Sequence, residues 1–547
     1  MDTKKVLMNH TRGLLVVVAL MPIYAQERVD LNAIHKIREE ALQNSKAMEH
    51  VFQLTDVYGP RLTNSPGYFA AADWIVKQLK DWGIEGRQEK WGPFGRGWTF
   101  THFSANLIEP QYAPLIGFPL AWSPGTNGTV TSEAMVANIA AETDFERYKG
   151  KLKDKILFMG VGRELAMITT SLGQRYTDDE LAKLSVAAEG GGRGGAAPGT
   201  AALGDGRGGR GGRGGAGGRG GPNAQQQFQN RLNQFLKDEG VAIVVRMGGG
   251  QSSGGTVFAQ AAGSRDAKDV VPPPTVAITP EHYNRVMRLL DAKIPVKLEF
   301  EIQAKFLDDR TDSVNVIGEI PGVRKRDEIV MIGAHLDSWQ GGTGATDNAA
   351  GCAVMIEVLR ILKTLNLPMD RTVRMALWSG EEQGLLGSRA YVTEHFADRA
   401  DMKLKSEHAK LAGYFNVDNG SGKIRGVYLQ GNDAMRPVFE AWFKPFQDLG
   451  AGTISIRNTG GTDHQSFDAV GLPGFQFIQD GLEYNSRTHH SNMDVYDRIQ
   501  RADMAQMAAI VASFVYNAAT RDEMLPRKPL PKPQPPPPAN GGPPSAN

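Results

Sequence analysis

Apolar residues recur at helical spacing in "LNAIHKIREEALQ" and "SKAMEHVFQLTDVYG", which predicts helices early in the chain. In "SPGYFAAADWIVKQLKDWGI", Ser65 is a capping residue, Pro66 opens the first turn, and the helix stops near Gly83. A strand-like "EGRQEKW" follows. Between about Leu115 and Phe300 the chain breaks into short β-like runs, "KILFMGV", "VAIVVRM" and "TVAITP", with a helix in "EHYNRVMRLLDAK". We read residues 115–300 as a smaller β-rich domain inserted into a larger one. A glycine- and arginine-rich run, residues 189–222, interrupts it. This run has too few apolar side chains to bury a core and is expected to be disordered.

From about Asp312 the pattern alternates. "DEIVMIGAHLD", "RTVRMALWSG", "AGYFNVDNG" and "GFQFIQDG" read as strands. "DNAAGCAVMIEVLRILKTL", "GLLGSRAYVTEHF", "AMRPVFEAWFKPFQDL" and "ADMAQMAAIVASFVYNAA" read as helices. Buried strands separated by helices imply an α/β fold with a mostly parallel mixed sheet, covered by helices on both faces. The larger domain then comprises residues 26–114 and 301–522, and a Pro-rich tail, residues 523–547, is expected to be unstructured.

The chain has 547 residues and a formal net charge of +1, enough length for two or three domains and no bias towards nucleic acid or acidic membranes. Residues 1–25 read as a secretory signal: Lys4, Lys5 and Arg12 precede an apolar "GLLVVVALMPI", with Ala25 at a cleavage point. A short membrane anchor is the other reading of that segment. Export makes the protein secreted or periplasmic, with no membrane association after cleavage. Cys352 is the single cysteine, so no internal disulfide forms; its apolar neighbours mark it as a small buried side chain.

Candidate chemistry gathers where strands end. One strand ends in His335 and Asp337, a second in Glu381 and Glu382, and a third in Asp418. Open α/β sheets bind ligands outside the carboxyl ends of their strands. Asp347 sits in the Gly-rich "GTGATDNAAG", and His489, His490 and Asp494 in "RTHHSNMD". Imidazole and carboxylate together suit zinc, with cobalt or manganese also compatible. The candidates outnumber the ligands of one catalytic zinc. A carboxylate shared by two metals resolves the count, and Asp347 is placed for it. In the H-x-D pair, Asp337 could orient the imidazole of His335.

These motifs, "GAHLDSWQGGTGATDNAAG", "SGEEQGLLGSRAY", "NVDNG", "GGTDHQSF" and "HHSNMDVYD", resemble peptidase family M28, the di-zinc exopeptidases. The lead-in "YGPRLTNSPGYFAAADWIVKQL" is similar as well, and the insertion resembles a protease-associated (PA) domain. The arrangement resembles the carboxypeptidase Q-like branch. The resemblance implies two Zn2+ per chain. His335 and Asp418 would hold one, Glu382 and His490 the other, with Asp347 bridging and a cis peptide to Asn348. His489 is the alternative last ligand, and Asp494 would stand behind His490. Glu381 would be the general base, and Asp337 would assist. Asp463, His464 and Tyr484 would face the substrate or hold its loop, and Trp339 would line the pocket or its lid. The implied partner is a peptide or dipeptide substrate; a homodimer is open as the assembly. Arg487 permits recognition of an α-carboxylate, but aminopeptidase and carboxypeptidase or dipeptidase readings both stand. The alternative outside catalysis is a PA-containing binding protein of the same fold. A third reading takes the Gly/Arg run as RNA-binding; the export signal and near-neutral charge oppose it, so no nucleic acid is expected.

Overall fold

In the strand Lys325–His335, residues 329–335 are continuously buried, which dictates a strand covered on both faces. Val330, Ile332 and Ala334 point into one core; Ile329 and Met331 point into another. The first core is closed by the helices Leu31–Gln43, Ala350–Leu365 and Arg501–Thr520. The second is closed by Leu386–His395 and His464–Asp468. The computed structural model describes residues 27–186, 222–249 and 254–534. The expected signal peptide and the Gly/Arg run, apart from Pro222, lie outside the described residues, as do residues 535–547. Pro222 begins the helix Pro222–Asp238.

The sheet between these two cores has eight strands. Its centre is four parallel neighbours in the order Arg371–Trp378, Lys325–His335, Leu411–Asn416 and Gly474–Gln479. Antiparallel strands extend it. Ser313–Ile320 and then Glu85–Trp91 lie beyond Arg371–Trp378. Ile424–Tyr428 pairs antiparallel with Gly474–Gln479 and parallel with the edge strand Thr453–Ser455. The mixed α/β architecture agrees with the pattern of the sequence. Ser65 caps the helix Pro66–Asp81 by accepting from the Tyr68 amide at 3.3 Å, and Gly83 takes a left-handed φ of +68° just past its end.

A second eight-stranded sheet is built from residues between Gly97 and Leu307. It draws in Gly97–Glu109 and Lys297–Leu307, long strands flanking the 115–300 segment on both sides. The tail expectation is corrected at its near end, because residues 523–534 are bonded to the domain of the first sheet. Leu525 is buried in the first core. Arg527 Nη2 donates to the Leu411 carbonyl at 2.7 Å, Asn432 Nδ2 donates to the Pro526 carbonyl at 2.8 Å, and Lys528 pairs with Asp468 at 2.5 Å. Prolines leave such a segment extended, and the apolar and basic residues between them supply the anchors. Among the described residues, no helix is long and apolar enough to cross a membrane.

Phe514 sits at the centre of the first core, edge-on to Trp442 at 5.3 Å and to Phe477 at 5.4 Å between ring centroids. It is fully buried. Phe514→Ala should cost about 3–5 kcal/mol, read as a lower urea midpoint at unchanged slope.

Candidate functional site

Three adjacent parallel strands deliver their last residues to one place. His335 is in register with Trp378, so Glu381 and Glu382 follow directly beside it. Gly333 is in register with Asn416, which places Asp418 on the other side. The turn carrying Asp347 folds over the gap. His335 Nε2 lies 3.1 Å from Asp347 Oδ1 and 3.3 Å from Asp418 Oδ1. His490 Nε2 lies 3.2 Å from Asp347 Oδ2 and 2.9 Å from Glu382 Oε2. One carboxylate therefore faces both imidazoles, one through each oxygen. His489 also approaches Asp347, at 3.7 Å, but reaches no second acid at that range among the pairings described. Among the described residues, two groups satisfy the geometry of a cation site: His335 with Asp347 and Glu382, and Asp347 with His489 and His490.

The donor set fits a bound cation. Asp347 Oδ2 and Glu382 Oε1 are buried and accept no hydrogen bond of good geometry. Atoms that stand close yet point past each other suit a shared ion better than a mutual hydrogen bond. His335 Nδ1 meets the Asp337 carbonyl at 2.9 Å, a contact that fixes the ring and leaves Nε2 facing the acids.

Asp337 orients the imidazole through its backbone, not its carboxylate as the H-x-D pair suggests. Its Oδ1 is 3.7 Å from Nδ1, beyond hydrogen-bond reach. The carboxylate is committed elsewhere: it accepts from the Glu381 amide at 3.2 Å, the Glu382 amide at 3.3 Å and the Thr63 hydroxyl at 2.9 Å. It thus locks the turn that presents both glutamates. Asp494 likewise does not back His490. It accepts from the Thr346 amide at 2.5 Å and the Asp347 amide at 3.2 Å, so it holds the turn of Asp347. The Asp347–Asn348 peptide is cis. Asn348 Nδ2 donates to the Val417 carbonyl at 2.8 Å, tying that turn to the strand end that bears Asp418. Gly351 is required beneath it, because a Cβ there would stand 2.4 Å from both Asn348 Oδ1 and the Val417 oxygen. Cys352 is buried at the same level, and its thiol donates to the His335 carbonyl at 3.0 Å. Burial pushes that thiol up to about 12.

The remaining candidates divide. Asp463 is fully buried, and neither of its oxygens has a hydrogen-bond partner of good geometry among the described residues. Its charge and that of Asp418 act on Glu381. His464 turns to Gln430 and to the Thr459 carbonyl at 3.2 Å, which makes it a tie between loops. Tyr484 is half-buried against the ring of His489 and lines a cavity of about 240 Å3 with Arg175, Thr346, Thr488 and Arg498. Arg487 is paired with Glu483 at 3.4 Å. Trp339 packs edge-on to His490, with ring centroids 6.2 Å apart.

Sequence reasoning missed Arg61, Thr63 and Gln260. Arg61 is fully buried and donates to the carbonyls of Leu336 at 2.8 Å, Thr343 at 2.8 Å and Gly344 at 2.9 Å, and also to that of Leu54. It braces the loops after His335 and before Asp347. Its quoted neighbourhood, "YGPRLTNS", was the available signal; a cation whose partners are backbone carbonyls has no acidic residue to mark it.

Residues 315–515 match the model for "Peptidase family M28". They form the chain's stretch of similarity to peptidase family M28. The matched span carries every acid and histidine of the cluster, while Arg61, Thr63 and Gln260 lie outside it. Carboxypeptidase Q of Mus musculus is 32% identical over 273 residues, 50% of this chain and 56% of that protein. Aminopeptidase YwaD of Bacillus subtilis is 29% identical over 232 residues, 41% of this chain and 49% of that protein. The chain spans about half the length of the curated relatives it matches. The fold matches the crystal structure of a peptidase M28 precursor from Shewanella amazonensis, with a TM-score of 0.62, 24% identity and coverage of 92% of this chain and 99% of the other. It also matches a zinc aminopeptidase of Bacillus subtilis, with a TM-score of 0.52, 19% identity and coverage of 87% and 95%.

Without a cation, the cluster must take up protons. Burial, joined by neighbouring acids, raises Glu382, Asp463 and Asp494 each to about 7. Burial would lower His490, but Glu382 and Asp347 outweigh it and lift the ring to about 10. All four folded-state values are raised, so their stabilisation is complete below the unfolded values and lost as pH climbs through the folded ones. Asp347, held well below the usual range by His335 and His490 despite burial, acts oppositely only on acidification. Burial lowers His464 to about 4 and His489 to about 3, which opposes this trend below about pH 6.5, so chelator-treated protein should lose unfolding free energy from about pH 4.5 to about pH 7.5, most steeply above about pH 6.5. Urea midpoints across that range measure it, and Asp463→Asn should reduce the slope.

Proposed function

We propose that this chain is a metallo-exopeptidase that binds two zinc ions and hydrolyses peptide bonds at the ends of peptides or in dipeptides. The observation that carries this reading is Asp347, whose two oxygens face His335 and His490 at 3.1 and 3.2 Å. In this assignment His335 and Asp418 would hold one ion, Glu382 and His490 the other, and Asp347 would contribute to both. The zinc aminopeptidase among the fold neighbours and the carboxypeptidase Q and aminopeptidase relatives support metal, reaction class and exopeptidase action.

A zinc pair supplies Lewis acidity, which activates water near neutral pH and offsets negative charge developing on a scissile carbonyl. The protein does the rest. Glu381 reaches into the cluster, 4.0 Å from His335 Nε2, yet is not needed as a ligand. Burial, then Asp418, Asp463 and Glu382, holds its carboxyl well above the usual range. A carboxyl so poised can take the proton of the attacking water and deliver it to the leaving amine. Asp337 fixes its backbone, and the Asp494 contacts fix Asp347. We read the second sheet as a PA-like unit over the cleft and residues 1–25 as an export signal, so that the enzyme acts outside the cytoplasm.

Hydrolysis of a peptide panel, with and without chelator, tests the reading; full activity after metal removal would sink it. N-acetylated and C-amidated versions of one peptide identify the end attacked, since blocking that end should abolish cleavage. Glu381→Gln should keep both metals and lose about 10²–10⁴-fold in turnover. Glu382→Ala should lose metal. The opposite pattern, with metal lost in Glu381→Gln and activity kept in Glu382→Gln, would reverse the two roles.

A further inference from the structure

The segment around residues 257–260 belongs to the second-sheet region by sequence, yet it is bonded into the matched span on two sides. Its backbone pairs with the loop that carries His490. The Asn492 amide donates to the Val257 carbonyl at 3.0 Å, the Ala259 amide donates to the His490 carbonyl at 3.3 Å, and the Val257 amide donates to Asn492 Oδ1 at 2.7 Å. On the other side Gln340, in the loop after His335, donates from Nε2 to the Gln260 carbonyl at 3.1 Å and to the Pro119 carbonyl at 3.2 Å. Between these two anchors the amide nitrogen Nε2 of Gln260 meets His490 Nδ1 at 2.8 Å. It is the hydrogen-bond partner of that nitrogen among the described residues.

We propose that Gln260 is a positioning residue that sets the tautomer and aim of His490 as a metal ligand. The inference rests on the metal-binding reading above and adds a residue from outside the matched family region. A ligating imidazole must present Nε2 as a bare lone pair, so Nδ1 must carry the proton and needs an acceptor. A glutamine amide can fill that role with its oxygen. In the orientation seen here the amide nitrogen donates to Nδ1 while Nε2–H faces Glu382 Oε2 at 2.9 Å; half a rotation about the last side-chain bond brings the oxygen round to accept from Nδ1–H. Gln260 therefore serves the histidine in both states, and the anchored backbone keeps it within reach. Trp339, edge-on to the same ring, limits the tilt left to His490.

Metal-stripped full-length protein, titrated with Zn2+ against a chromophoric chelator, tests this directly. Wild type should take up two ions. Gln260→Leu should bind one of the two about 10–100-fold more weakly. Gln260→Glu, an acceptor only, should stay close to wild type, whereas Gln260→Lys, a donor only, should weaken like Gln260→Leu. The Glu and Lys pair decides the matter if Gln260→Leu does not fold. A merely structural glutamine would lower the urea midpoint of the metal-free variants and leave zinc affinity unchanged. Equal affinity in wild type and Gln260→Leu, or Glu as weak as Lys, would overturn the inference alone. Wild type that takes up no zinc would remove the metal-binding reading and this inference with it.

Discussion

Buried negative charge governs this architecture. Asp337, Asp347, Asp418, Asp463 and Asp494 are all buried, and the carboxylates of Glu381 and Glu382 face the same space beside only a few imidazoles. Carboxylates in a low-dielectric interior are costly unless they gain hydrogen bonds, protons or cations. The chain meets that cost in two ways. Backbone amides and Thr63 satisfy Asp337, and the Thr346 and Asp347 amides satisfy Asp494. The other acids are left to share one another's protons or a cation. Those with amide partners hold the scaffold, and those without face the chemistry.

Much of this was legible in the sequence because the parallel strands are apolar throughout and turn polar only where they end. "MIGAHLD" shows both the buried strand and the position of the ligand. The periodic helices were legible for the same reason. Less legible were Ser313–Ile320 and Ile424–Tyr428, antiparallel members that do not obey the strand–helix alternation. Residues 523–534 were misjudged because proline density speaks for extension and says nothing of anchoring; Leu525 and Arg527 do the anchoring.

The supporting contacts were the hardest to foresee. Thr63 reaches Asp337 across 274 positions, and Gln260 reaches His490 across 230. Neither distance leaves a mark in local spacing. Asp337 shows a subtler limit, since the i, i+2 relation correctly joins it to His335 while the bond runs through the carbonyl and frees the carboxylate for the glutamate turn. Sequence identifies which residues meet more readily than which atoms do.

The buried thiol has its own consequence. Cys352 is the chain's single cysteine and lies fully enclosed under His335. With no disulfide to reduce and its single thiol enclosed, the folded protein offers no thiol chemistry to the redox poise of its surroundings. The same sulfur becomes reactive only when the helix bearing it lifts from the strand end. The chain thus carries an internal reporter for the opening of its own reaction centre: an alkylating reagent finds Cys352 at the opening rate when it reacts faster than the helix recloses, and in proportion to the open fraction when it reacts more slowly.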